Sequence, residues 1–261
     1  MNGIVIAAIM IGAVGLFVGV FLGVASKVFA VPVDEKEVAV RELLPGANCG
    51  ACGYAGCDAL AAAIAKGEAP IAACVVGGAP VASQIGEVMG MTAEVGERKV
   101  AFVRCTGDCE KTTDTYDYSG PKSCAAVKFA PGGGSKSCRY GCTGFGDCVR
   151  ACEFDAIHIV KGIAKVDEAK CKDCKKCIEA CPKGMIIEVP AERASHIGCV
   201  NPDRGKPVMD NCKVGCISCQ KCVRTCENGA ITMVGGFPVI DYSKCDDCGK
   251  CKEGCPRKCI I

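Results

Sequence analysis

Two cysteine runs in this chain share one spacing at an offset of 74 residues, and each closes on Cys-Pro. Cys171, Cys174, Cys177 and Cys181-Pro182 match Cys245, Cys248, Cys251 and Cys255-Pro256. Upstream of them, Cys138, Cys142, Cys148 and Cys152 match Cys212, Cys216, Cys222 and Cys226. C-x2-C-x2-C-x3-C-P is an iron–sulfur ligation pattern, in which three thiolates hold one cluster and the fourth holds its neighbour. A repeat of about 55 residues buries little apolar surface, so each unit is expected to fold largely around its metal. Chemistry of this kind points to electron transfer.

The chain has 26 cysteines in 261 residues, a density that also suits a disulfide scaffold. Against that, 261 residues can bury an ordinary core, and x2 spacings surround a metal more readily than they form bridges. Zinc sites usually show two Cys pairs separated by a longer loop, so triplets ending in Cys-Pro favour iron and sulfide. A net charge of +2 and few aromatics give no sign of a nucleic-acid surface. His158 and His196 stand apart from the cysteine runs and are assigned to surface or packing roles.

From Ile4 to Ala25 no residue is charged. As a helix this run would rise about 33 Å, enough to cross a bilayer core. No Lys or Arg precedes it, unlike a signal peptide, and the run exceeds a typical signal core. Lys27 and Lys36 follow it, which by the positive-inside bias puts the cysteine-rich body in the cytoplasm, on the single-pass protein's reducing side. Gly12, Gly15, Gly19 and Gly23 lie near one face of this helix, where another membrane helix can approach closely.

The expected fold is α+β. A transmembrane anchor spans 1–30 and a small helical single-cluster domain 31–96, followed by a cysteine-containing insert and linker over 97–134. Ferredoxin-like module 1 occupies 135–189, a linker 190–208, and module 2 209–261. Val31-Pro32-Val33 reads as a breaker, and Asp34 as the N-cap of a helix reaching Leu44. Further helices are expected over Asp58 to Lys66 and Val81 to Met91. Apolar residues flanking Gly162 and Gly235-Gly236 predict a hairpin in each module.

Cys49, Cys52, Cys57 and Cys74 form one ligand set, the first three in a glycine-rich loop whose backbone can fold closely around an inorganic core. In two-cluster ferredoxins the fourth Cys crosses to the other cluster. That rule groups Cys152 with Cys171, Cys174 and Cys177. In module 2 it groups Cys255 with Cys216, Cys219 and Cys222, and Cys226 with Cys245, Cys248 and Cys251. The remaining site in module 1 lacks its middle ligand, because Phe145 stands where the repeat has Cys219. Cys142, Cys148 and Cys181 remain, and Cys138 is expected to fill the vacancy, the alternative being a three-iron cluster with three cysteines. These sets make five [4Fe-4S] clusters. Cys105, Cys109, Cys124, Cys199, Cys212 and Cys259 are left over. A sixth cluster on Cys105, Cys109 and Cys124 with one more thiolate is one reading; buried free thiols are the other.

There is no strand-linked G-x-G-x-x-G, phosphate loop, Ser-His-Asp set or H-E-x-x-H. This chain is therefore expected to bind neither nicotinamide nor flavin itself. The order of anchor, C-x2-C-x4-C-x16-C block from Cys49 to Cys74, and tandem ferredoxin modules resembles the RnfB family of the bacterial Rnf electron-transport complex. The most specific piece is Asn48 to Cys57, directly after the anchor; corrinoid iron–sulfur proteins carry a similar block without this arrangement. Glu153 and Glu227 depart from the usual Pro after Cys.

The resemblance implies a multisubunit translocase in the bacterial inner membrane, a ferredoxin:NAD oxidoreductase that moves Na+ or H+. Its partners would be soluble ferredoxin and the membrane and flavin-carrying subunits. A polyferredoxin subunit of another membrane oxidoreductase, such as a hydrogenase, is the alternative. A rim of Lys170, Lys172, Lys175, Lys176 and Lys183 would suit an acidic ferredoxin, or be simply a solvated face.

Overall fold

The computed structural model describes residues 2–28, 34–93 and 96–261, so the expected breaker at Val31-Pro32-Val33 lies outside the described residues. Helix α1 (Asn2–Val28) has a mean hydropathy of 2.3 over Ile9–Ser26, with none of that stretch buried. Its apolar side chains, Ile11, Leu16 and Phe17 among them, point away from the rest of the chain. Burying such a surface requires a bilayer or other helices.

Three helices follow: α2 (Glu35–Leu43), α3 (Cys57–Ala65) and α4 (Gly78–Met89). Asp34 caps α2 as expected, its carboxylate accepting from the Lys36 N–H at 2.9 Å. Gly90, left-handed at φ 71°, ends α4. Val40, Leu60, Ile64 and Ile85 are fully buried between the three helices, and Cys57 and Cys74 belong to the same core.

The rest of the chain is two variations on one plan. Module 1 holds β1 (Lys99–Val103), α5 (Cys124–Val127), α6 (Asp147–Arg150), β2 (Ile157–Val160), β3 (Ile163–Val166), α7 (Lys176–Glu179) and β4 (Ile186–Pro190). Module 2 holds α8 (Lys206–Asn211), α9 (Lys221–Thr225), β5 (Ile231–Val234), β6 (Phe237–Ile240) and α10 (Lys250–Glu253). Both expected hairpins form. β2 pairs with β3 through Lys161-Gly162 and β5 with β6 through Gly235-Gly236, and all four turn residues have positive φ, as a two-residue primed turn requires. The hairpins close alike, the Asp167 N–H donating to the Ala156 carbonyl (2.7 Å) and Asp241 to Ala230 (2.8 Å).

The insert and linker expected from sequence are part of this plan. β1 pairs antiparallel with β4, Lys99 opposite Pro190 and Val103 opposite Ile186, and its Val100, Ala101 and Val103 enter the core of module 1. In module 2 the matching contact is short: Ile197 bridges Ile260, and both join that module's core. The Arg104 N–H donates to Met185 O at 2.8 Å, as Gly198 does to Cys259 O at 2.8 Å. Val103-Arg104-Cys105 therefore corresponds to Ile197-Gly198-Cys199. Between Cys105 and Cys138 lie 20 more residues than between Cys199 and Cys212, and that extra length carries Cys124. His196 is a packing residue, its ring against Phe102 and Tyr242 and its Nδ1 2.7 Å from Tyr242 Oη. His158 lies at the surface.

Candidate iron–sulfur sites

Each ligand run takes its shape from backbone conformations unusual outside glycine. In the C-x2-C-x2-C loops the third and fifth residues are left-handed: Asp173 and Lys175, Ser218 and Gln220, Asp247 and Gly249. This winding turns successive cysteines toward one centre and leaves N–H groups aimed at sulfur. The loop from Cys142 to Cys148 keeps the pattern, with Gly144 at φ 79° and Gly146 at φ 76°, although Phe145 replaces the middle ligand. Arg150 Nη1 donates to the Phe145 carbonyl at 3.0 Å, as Arg224 Nη2 does to Cys219 at 3.2 Å. The loop is a complete ligand loop lacking one thiol.

Five clefts of similar size are each lined by four or more cysteines. Cys49, Cys52, Cys57 and Cys74 surround one of about 320 Å³, and Cys152, Cys171, Cys174 and Cys177 one of about 350 Å³. Cys216, Cys219, Cys222 and Cys255 surround one of about 370 Å³, with Cys259 beside them. These are the sets expected from sequence. Cys226 and Cys245 pack against buried Cys251 in the core of module 2, and Cys248 is exposed.

The other two clefts differ from expectation. Cys142, Cys148 and Cys181 line one of about 390 Å³ whose fourth cysteine is Cys124, not Cys138. Cys124 opens α5, and the Asp147 carboxylate holds that helix start, accepting from the Cys124 N–H (3.0 Å), the Ala125 N–H (2.9 Å) and Ser123 Oγ (3.0 Å). These bonds keep Asp147 ionised below the usual carboxylate range although burial opposes it. Phe145 turns to the Tyr118 ring, centroids 5.5 Å apart. Cys138 instead lines a separate cleft of about 370 Å³ with Cys105, Cys199 and Cys212. The expected grouping of Cys105, Cys109 and Cys124 is not brought together either. Cys105 and Cys124 face different clefts, and Cys109 is exposed, its N–H donating to Lys161 O.

Iron and sulfide fit these donor sets. All 26 cysteines are free thiols. Backbone N–H groups point at sulfur in repeat-equivalent positions: Ala156 to Cys152 (3.4 Å) and Ala230 to Cys226 (3.3 Å), with Met185 to Cys181 (3.3 Å) and Ala101 to Cys171 (3.4 Å). Burial, then the neighbouring thiolates, pushes Cys148 and Cys177 up to about 12 and Cys222 to about 11, so metal binding there displaces protons. Cys259 occupies the place of buried Met185 with its Sγ 3.6 Å from Cys255 Sγ, a contact that pushes the Cys259 thiol up and brings Cys255 down to about 5. Glu153 and Glu227, the departures after Cys, pair with Lys176 (2.5 Å) and Lys250 (2.6 Å).

In the first domain α3 has no side-chain cap of its own, and Asn48 Oδ1 accepts from the Cys57 N–H at 2.8 Å. Asn48→Ala is expected to remove about 1–2 kcal/mol locally. Bleaching of the visible absorbance by a chelator should then be several-fold faster, and an unchanged rate would show that this bond does not hold the loop.

A family model described as a putative Fe-S cluster matches residues 44–76, and a 4Fe-4S binding domain matches residues 163–186. The chain is 46% identical over 261 residues to the B subunit of the Na(+)-translocating ferredoxin:NAD(+) oxidoreductase complex of Acetobacterium woodii, covering 100% of this chain and 78% of that one. It is 42% identical to the B subunit of the ion-translocating oxidoreductase complex of Methanosarcina acetivorans, covering 100% of this chain and 99% of that one. Against the B subunit of the proton-translocating ferredoxin:NAD(+) oxidoreductase complex of Clostridium ljungdahlii the identity is 36%, covering 100% and 93%. With cysteine quartets gathered around clefts and full-length likeness to these proteins, the chain belongs to the RnfB family, the B subunits of ion-translocating, Rnf-type oxidoreductase complexes.

Proposed function

We propose that this chain is the iron–sulfur relay subunit of an ion-translocating ferredoxin:NAD oxidoreductase complex, anchored by α1 with its cysteine-rich body in the cytoplasm. The observation that carries the reading is the set of cysteine quartets around clefts of 320 to 390 Å³ behind a membrane-length helix. Five quartets hold [4Fe-4S] clusters in this reading: Cys49/52/57/74, Cys124/142/148/181, Cys152/171/174/177, Cys216/219/222/255 and Cys226/245/248/251. Bound clusters supply one-electron oxidation and reduction without bond rearrangement. The chain's own residues fix position and potential. Left-handed loop residues aim the thiolates, N–H groups offset charge on sulfur, and Val100, Val103, Ile157 and Ile186 exclude water from the first module. Lys27 and Lys36 after the helix support the cytoplasmic orientation.

Ferredoxin is the proposed electron donor, met at the lysine rim. Lys170 pairs with Asp155, Lys175 with Glu188 and Lys176 with Glu153, while Lys183 Nζ donates to the Arg139 carbonyl. Lys172 is exposed and has no carboxylate partner among the described residues. Lys172→Glu with Lys175→Glu is expected to slow ferredoxin oxidation several-fold at low salt and little at high salt. Equal rates at both salt concentrations would place docking elsewhere.

Anaerobically purified protein should contain at least about 20 iron and as many sulfide per chain, with an EPR signal on reduction. A colourless zinc protein would overturn the relay reading.

A further inference from the structure

Four thiols outside every ferredoxin run, Cys105, Cys138, Cys199 and Cys212, line one cleft between the two modules. They are two pairs of equivalent positions. Cys138 and Cys212 are related by the offset of 74 residues, and Cys105 and Cys199 each lie two residues after the strand residue that pairs with Ile186 or Ile260. Cys105 also bridges Cys199 directly, and Thr112 bridges Cys212. Each module thus contributes two equivalent thiols to a shared quartet.

The surroundings are built for sulfur. A Cβ on Gly107 would meet Thr112 Cγ2 at 3.0 Å and Cys212 Sγ at 3.1 Å, and one on Gly141 would lie in ordinary contact with the Cys138 carbonyl (3.4 Å) and Cys105 Sγ (3.6 Å). Gly107 does not have positive φ, so close approach of Thr112 and Cys212, not backbone conformation, accounts for its missing side chain. The Cys216 N–H donates to Cys199 Sγ at 3.3 Å, and buried Asn201 aims Nδ2 at Cys138 Sγ, 3.8 Å away. Arg104 lines the same cleft with its Nε buried and without a partner, while the Lys136 Nζ at its edge donates to the Gly107 and Cys142 carbonyls. Thiols acting only as small apolar side chains would have no use for these donors and the unpartnered Arg104 Nε; thiolates would.

We propose that Cys105, Cys138, Cys199 and Cys212 ligate a further iron–sulfur cluster at the junction of the modules. The inference rests on the relay reading and adds a site to its five. It would also join the two halves. Cys138 lies four residues before Cys142, a ligand in module 1, and Cys199 accepts the N–H of Cys216, a ligand in module 2.

The test is iron and sulfide analysis with Mössbauer spectra of the full chain, comparing wild type with Cys199→Ala and with Cys109→Ser, which alters an exposed thiol. Wild type and Cys109→Ser should hold about 24 iron, and Cys199→Ala about 20. If wild type already holds about 20 and Cys199→Ala the same, the junction site is wrong while the relay reading stands. Wild type without iron would sink the relay reading itself. Loss of one zinc in place of four irons would overturn the junction cluster. Anaerobic alkylation of native wild type covers the case in which Cys199→Ala misfolds. Cys109 should react at once and the quartet only after the iron is stripped; alkylation of the quartet with all iron retained would overturn the proposal.

Discussion

Cys124→Ala is expected to convert one cluster of module 1 from a four-iron to a three-iron form, with a loss of about one iron and a new EPR signal in the oxidised protein. The reason is geometric. The loop from Cys142 to Cys148 keeps the winding of a full ligand loop, but its middle position carries Phe145, and Cys124 reaches the same cleft from α5. Phe145→Cys in the Cys124→Ala background should restore the four-iron site, since Gly144, Gly146 and Arg150 already hold that position as their counterparts hold Cys219. Asp147→Asn should act in the same direction more weakly. The amide cannot accept all three bonds that start α5, and charge-assisted bonds of this kind contribute about 1.5–3 kcal/mol. If Cys124→Ala retains every four-iron signal, or if Phe145→Cys rescues Cys138→Ala instead, the fourth ligand is Cys138.

Removing iron should unfold the two modules while leaving much of the helical domain intact. Cys148, Cys171 and Cys177 are core residues of module 1, and Cys216, Cys251 and Cys259 make up much of the core of module 2. Without metal, module 1 keeps two separate two-stranded sheets and module 2 one hairpin, each with only short helical turns, which cannot stand alone. Structural metal sites contribute on the order of 10 kcal/mol to folding, comparable with the ~5–15 kcal/mol that stabilises a whole domain. The helices α2, α3 and α4 retain an apolar core of Val40, Leu60, Ile64 and Ile85. Hydrogen exchange after oxidation and chelation should therefore show Ile157 and Ile231 exchanging many-fold faster than in the loaded protein, with Ile64 and Ile85 changed far less. Equal loss of protection at all four would show that the first domain depends as heavily on its cluster.

The local parts of this architecture are legible in the sequence because local rules produce them. Asp34 caps α2, the glycines at 235 and 236 turn a hairpin, and the x2 spacings gather thiols on one side of a loop. Spacing alone makes Cys138 the missing ligand, since it stands four residues from Cys142, yet the backbone turns it into a different cleft. What overrides proximity is pairing across long separations, β1 with β4 and Cys105 with Cys199. A signal is present in the extra residues between Cys105 and Cys138, which carry Cys109 and Cys124, the second of them reaching the cleft of a module that lacks one ligand. The ion pairs of Glu153 and Glu227 likewise connect residues 23 apart that no periodicity relates.

The pairing of β1 with β4 also sets a timetable for the protein's biogenesis. β1 precedes the ligands of module 1 in the chain, and its Ala101 N–H closes over Cys171 Sγ at 3.4 Å. It can dock only when Ile186–Pro190 has been made, after the last ligand of that module. Until then the cysteines stand open to whatever delivers iron and sulfide; afterwards the strand roofs them over. The strand that covers Cys171 is thus made before the ligands it covers and held open until the residues after the last ligand exist, so closure of the module waits on its complete ligand set.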